Sequence, residues 1–180
     1  MKLFTQGLLS ILIVFYSCTE TNVDTTKAFN FFDSVNYQIG LNHAQQQSFI
    51  DQLNEAILSV RENKIASVDT KELEDLLRIS TSINFRKVEN IENLSEIDTD
   101  IKFKHKALEY YRTFNIAYKN EIPRVIKILA LQTEDRFDRS KDLLFPKLKL
   151  IKEKEIEMVD SQKKFRAKYE RIRKLQTRIK

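Results

Sequence analysis

An all-α fold, an up-down-up-down four-helix bundle with long first and last helices, is what this sequence predicts, and three observations predict it. Gly and Pro occur only twice each in 180 residues, too few for the turns of a hairpin-rich sheet or for a phosphate-cradling loop. Charged residues make up 32% and hydrophobic residues 42%, the balance of helices with one buried and one solvated face. Apolar residues also recur at intervals of three and four through most of the chain. The length suits one domain with its own core and is too short for a second of full size.

Residues 1–17 stand outside that fold. Lys2 gives a short positive start, Gly7 to Tyr16 form an apolar run, and small Ser17 precedes Cys18, the three parts of a secretory signal. The run is too short to span a bilayer core, which needs about 20 apolar residues. Cys18 is the only cysteine, so no intramolecular disulfide can form and an exported chain would carry an odd thiol. Acylation accounts for it. Phe15-Tyr16-Ser17-Cys18 resembles the lipobox cut by the signal peptidase of bacterial lipoproteins, in the looser form of Bacteroidetes; an ordinary signal peptide followed by an incidental cysteine is the alternative. The resemblance implies lipidation at Cys18; a short polar tether over 18–24 and a single helical domain over 25–180 are expected to follow. Thr19 is not the Asp used for inner-membrane retention, which implies an outer-membrane address, on the periplasmic face or the cell surface.

In the mature chain, Phe32, Val35, Ile39, Ile50, Leu53, Ile57 and Val60 predict one helix with a buried face, ending near Lys64. Gly40 inside it costs about 1 kcal/mol relative to Ala and marks a close crossing or a weak point. Asp69 and Glu72 make a capping-box-like start for a shorter second helix through Leu73, Leu76, Leu77, Ile83 and Val88. A polar loop over 90–100 follows, with Asp98 as the expected cap of a third helix through Ala107, Leu108, Tyr111, Phe114, Tyr118 and Ile122. Pro123 must kink or restart that helix. Thr133, Glu134 and Asp135 open the last helix, which Pro146 bends. From Leu148 the positions Ile151, Glu155, Met158, Gln162, Phe165, Tyr169 and Ile172 alternate by three and four, a packing seam.

The formal net charge is +5, with nine basic residues and the single acid Glu170 between Lys163 and Lys180. Such an end is most often a solvated face whose cations suit the negative pole of the helix; it can also meet phosphates of lipid or nucleic acid. Export makes nucleic acid the wrong partner.

Chemistry-bearing constellations are scarce. The two histidines, His43 and His105, have no acid three residues before them, as a Glu-x-x-His di-iron site requires, and zinc needs more ligands than these. No Gly-x-Ser-x-Gly elbow or Gly-rich nucleotide loop exists. The expectation is a protein that is not an enzyme and carries no metal or cofactor. Four polar residues occupy seam positions: His43 and Gln46 on the first helix, Glu155 and Gln162 on the last. They are expected to meet as one layer, either bonding each other to fix register or lining a small-ligand pocket between the first and last helices. Tyr111, Phe114 and Tyr118 belong to the core, while Tyr110 points elsewhere and is expected to be exposed.

The stretch Lys106-Ala107-Leu108-Glu109-Tyr110-Tyr111, with Phe114, Tyr118 and Ile126 to Leu129, is similar to the third helix of a family of uncharacterised helical surface lipoproteins from spirochaetes and Bacteroidetes. Gln162-Lys163-Lys164-Phe165-Arg166-Ala167-Lys168-Tyr169 resembles the family's closing Gln-x-x-Phe-Ala-x-Lys-Tyr pattern. Arg166 stands where the family tends to have Ala, and Pro123 interrupts a stretch that is normally unbroken. The resemblance implies a helical bundle at the envelope and assigns no functional residue. The expected partners are the membrane, through acylated Cys18, and an envelope or extracellular protein; a small-ligand carrier is the alternative.

Overall fold

The computed structural model describes residues 23–63 and 67–179, which form six α-helices and no strand. These are α1 (Thr25–Gly40), α2 (His43–Glu62), α3 (Thr70–Glu92), α4 (Phe103–Lys119), α5 (Glu121–Ala130) and α6 (Arg136–Ile179). The signal segment and Cys18 lie outside the described residues, and the helix expected to end near Lys64 ends at Glu62. Among the described residues no helix is long and apolar enough to cross a membrane.

The single long first helix expected from periodicity is two helices. Gly40 is the last residue of α1, Leu41 is extended, and Asn42 takes a left-handed conformation with φ 54° before α2 begins. Asn tolerates that region better than most side chains, which is why the chain can turn there without a glycine. Gly40 marks no close crossing: a Cβ built on it meets nothing within 4 Å.

The third predicted helix is also divided. Asn120 departs from helical geometry at φ −113° between α4 and α5, and Pro123 then falls in the first turn of α5. A missing N–H removes no intrahelical bond there, so the proline follows the break without bending a continuous helix. Pro146 lies within α6, whose 44 residues run past it.

Asp69 caps α3, its side chain accepting from Lys71 N and Glu72 N. Asp98 does not cap α4. That helix starts after Lys102, which is left-handed at φ 57° and gives no side-chain cap. Asp98 instead accepts from the backbone N–H groups of Asp100 and Ile101 and, at 2.7 Å, from Lys168 Nζ on α6. Tyr169 adds its hydroxyl at 3.3 Å. This buried carboxylate therefore pins the α3–α4 loop to the last helix.

Both α3 and α6 pack against α1, α2, α4 and α5. The interior between them divides into two apolar clusters. One joins α1, the end of α3, the start of α4 and the second half of α6 around Phe31, Val35, Ile91, Phe103, Phe165 and Ile172. Phe165 is fully buried, with ring centroids 5.5 to 5.9 Å from those of Phe31, Phe32 and Phe103 and 4.5 Å from Tyr169, spacings at which aromatic pairs attract. The other cluster joins α2, the start of α3, the end of α4, α5 and the first half of α6 around Phe49, Leu53, Leu73, Ile122, Ile126 and Leu144. On the outside, Lys106 bridges Glu109 and Glu157 at 2.9 and 2.8 Å, and Lys154 joins the same two acids, tying α4 to α6.

Candidate functional site: a polar layer around Lys87

The break between α1 and α2 meets a set of polar side chains contributed mainly by α3. On that helix Leu73, Leu77, Ser80, Asn84, Lys87 and Ile91 recur by four, three, four, three and four, so one inward seam carries three polar residues between apolar ends. Ser80, Asn84 and Lys87 are buried, and Lys87 is only 1% exposed.

Lys87 has no carboxylate partner among the described residues, and neutral oxygens receive its ammonium. Nζ donates to the carbonyl of Ile39 at 3.1 Å and to Gln46 Oε1 at 2.8 Å, and it lies 5.1 Å from the centre of the Tyr111 ring. The Ile39 carbonyl is one of the last four of α1, which no helical N–H can satisfy, and it stands at the negative end of that helix's dipole. Tyr111 donates its hydroxyl to the same carbonyl at 3.2 Å. Burial pushes the Lys87 amine down to about 8, the direction desolvation imposes on a cation with no counter-charge.

Asn84 completes the layer. Its amide donates at 2.7 Å to the Tyr111 carbonyl and at 2.7 Å to Asn115 Oδ1, while its Oδ1 receives a long contact from Gln46 Nε2 at 3.5 Å. The α1–α2 turn, α3 and α4 are thereby linked at a single level, by groups that satisfy one another.

The four seam residues expected to meet are separated. Gln46 joins the Lys87 layer. Gln162 donates at 2.7 Å to Asn36 Oδ1 on α1. Glu155 pairs at 2.8 Å with Lys152 of its own helix and faces Tyr110 electrostatically, and His43 is exposed at the start of α2. No hydrogen bond connects any two of them. The reason is the break at residues 40–42: it rotates α2 relative to α1, so positions extrapolated along one continuous helix lose their common face.

Gln46 and His43 do line a cleft with Tyr110, Tyr111, Phe114 and Tyr118, of about 50 Å³. Ligand sites are usually about 300–1,000 Å³, so this cleft is far smaller than an ordinary one and suits a few waters. Tyr110 is half-buried against Tyr111 and Phe114, with centroids at 4.9 and 5.2 Å, and so is not the exposed ring expected. Burial pushes the phenols of Tyr110, Tyr111 and Tyr118 up. The buried Tyr118 hydroxyl has no partner of good geometry, although Gln46 is near enough to offset part of the burial effect. Such a hydroxyl beside a water-sized space is suited to a bridging water. A larger depression of about 440 Å³ lies between the end of α2 and the start of α3, lined by Gln52, Glu55, Asp69 and Glu72; it is open and holds no convergent set of catalytic groups.

Chemically, a depressed lysine is a competent base or nucleophile; here two of its donors are bonded to Ile39 and Gln46 and the adjoining cleft is small. These bonds tie the α1–α2 turn to α3 and close a helix end. Among the described residues no group of three His, Cys, Asp or Glu is placed to hold a metal ion. Compared with known proteins, the chain matches no family model, no curated relative and no solved structure.

Sequence reasoning missed Lys87 and Asn84, although their signal was present. The three-four alternation that identified the seam of the last helix runs through α3 as well, where Ser80, Asn84 and Lys87 interrupt the apolar positions.

Proposed function

We propose that this chain is a lipid-anchored bacterial envelope lipoprotein, held through acylated Cys18, whose helical domain is a non-enzymatic interaction module. The observation that carries the reading is the order of residues at the start: Lys2, the apolar run, Ser17, then the sole cysteine. The helical domain follows after a short spacer, since α1 begins at Thr25. In the proposed arrangement α1 with α2, α3, α4 with α5, and α6 form four corners running alternately up and down, and the anchor is in the outer membrane.

The interior favours an interaction role over a carrier role. The polar groups around Lys87 bond one another, and the cleft beside them is far smaller than an ordinary ligand site, so recognition falls to the outer surface. Tyr37, Phe85 and Ile156 there are each at least 60% exposed. Fractionation tests the reading: the mature protein is expected in the membrane fraction and the detergent phase, and Cys18→Ser in the soluble one. Equal membrane retention of both would overturn the anchor. Protease shaving of intact cells then tells surface from periplasm.

A further inference from the structure

Helix α1 is held to the bundle by one narrow apolar stripe. Of its 16 residues only Ala28, Phe31 and Val35 are buried, against seven of 17 in α4. Past Val35 the helix ends at Gly40, which has open space around it, and Leu41 and Asn42 carry the chain into α2 in extended and left-handed conformations. A depression of about 370 Å³ runs along the flank of α1 against α3, lined by Tyr37, Gln38, Asn90 and Leu94, so this side of the helix is not packed.

The groove beneath α1 is built entirely by other helices. Ile91 of α3, Phe103 and Leu108 of α4, and Phe165, Tyr169 and Ile172 of α6 form it, and the Phe103 and Phe165 rings face each other at 5.9 Å. Phe31 and Phe32 seat on that pair with centroids 5.5 to 6.4 Å away. The other holds on α1 are polar. Asn36 accepts from Gln162 and Gln38 from Asn90, while the Ile39 carbonyl at the pivot end accepts from Lys87 and Tyr111. At the far end Thr25 donates to Gln176, and Arg173 lies over the Phe29 ring. Water can replace such bonds at small net cost when the helix lifts.

We propose that α1 is a displaceable strap, which swings as one unit about residues 40–42 and yields its groove to an amphipathic helix of a partner protein. The partner's chemistry is given by the helix already seated there. Ala28, Phe31 and Val35 stand at i, i+3 and i+7, the anchor spacing by which a helix is read in an apolar groove, and the partner presents apolar residues at the same spacing. The proposal rests on the interaction-module reading and names the partner class; the groove joins the outer surface only when the strap opens. Since α1 is the first described helix after Cys18, opening also lengthens the tether, by about 24 Å for a helix of this size.

The test uses the mature chain carrying Cys18→Ser, so that acylation plays no part. Hydrogen exchange is expected to show the amides of 25–40 opening together, about a hundredfold more readily than those of α4, with α2 remaining protected. Joining Asn36→Cys to Gln162→Cys with a short bismaleimide is expected to remove that difference. A fluorescent peptide of residues 24–40 is the probe for the groove. It is expected to bind the unlinked chain, to bind about tenfold more tightly when Phe31→Ala and Val35→Ala weaken the strap in place, and not to bind the cross-linked chain. The comparison of unlinked with cross-linked chain needs neither alanine, so it stands if that variant fails to fold by circular dichroism. Exchange of α1 only with global unfolding, opening of α1 and α2 together, or equal peptide binding by the unlinked and cross-linked chains would each overturn the proposal. None of these outcomes bears on acylation of Cys18, which is read separately from lipid labelling.

Discussion

Lys87 on α3 donates to the carbonyl of Ile39 at 3.1 Å, so a buried amine from one helix closes the C-terminus of another. The contact sits where the chain turns from α1 into α2 and where the two apolar clusters meet. It ties the position of the turn to the ionisation of one side chain.

That coupling gives a pH dependence with a definite sign. The Lys87 amine titrates near 8 in the folded protein against an ordinary 10.5, so between those values the unfolded chain holds more protons and stability rises with pH. The gain is about 2 kcal/mol between pH 7 and pH 9.5, an order-of-magnitude figure from 1.36 kcal/mol per pKa unit. Above about pH 10 the buried phenols act in the opposite direction, because they ionise more readily once unfolded. Urea titrations across this range are expected to show the rise in the wild type and a flat response in Lys87→Met. A parallel rise in that variant would show that another group titrates.

Removing the Asp98 carboxylate should loosen the α3–α4 loop. Burial alone would raise its pKa, but Lys168 and the N–H groups of Ile101 and Asp100 together hold it below the ordinary value. Its stabilisation is therefore present above the ordinary carboxylate range and lost as pH falls through the folded value. Asp98→Asn is expected to cost about 1–3 kcal/mol at neutral pH, less than a fully buried pair because Lys168 is partly solvated. The difference from wild type should shrink in acid, as read from urea midpoints.

Gly40→Ala should stabilise the protein by about 0.5–1 kcal/mol, because Gly40 ends a helix at negative φ with open space around its Cα and its freedom in the unfolded chain is wasted. A rise in melting temperature is expected; a fall would mean that the glycine serves a contact made only in an assembly.

Phe165→Ala should be the most damaging of these substitutions, costing about 3–5 kcal/mol. The ring is fully buried and stands among Phe31, Phe32, Phe103 and Tyr169. Guanidine unfolding checks it, with Phe165→Leu expected to recover part of the loss.

These sites also show how far the sequence could be read. The seam of α6 was legible because Ile151, Met158, Phe165, Tyr169 and Ile172 keep one period through an unbroken helix, and all five are buried. The Asp69 cap was legible because its bonds are local. The division at residues 40–42 was not, because it depends on Asn42 accepting a left-handed conformation and on Lys87 closing α1 from 48 positions away. Beyond that break His43 is exposed and Gln46 faces Lys87 and Asn84, so neither meets Glu155 or Gln162. Asp98 bonds the nearby N–H groups of Asp100 and Ile101 but caps no helix, and its side-chain partners, Lys168 and Tyr169, stand 70 and 71 positions away.

Metabolic labelling with palmitate, followed by mass measurement of the mature N-terminal peptide, tests the central claim most directly. The account predicts label in the wild type, a peptide beginning at acylated Cys18, and loss of both in Cys18→Ser. Label that persists in Cys18→Ser, or a mature N-terminus carrying an unmodified cysteine, would contradict the lipoprotein reading.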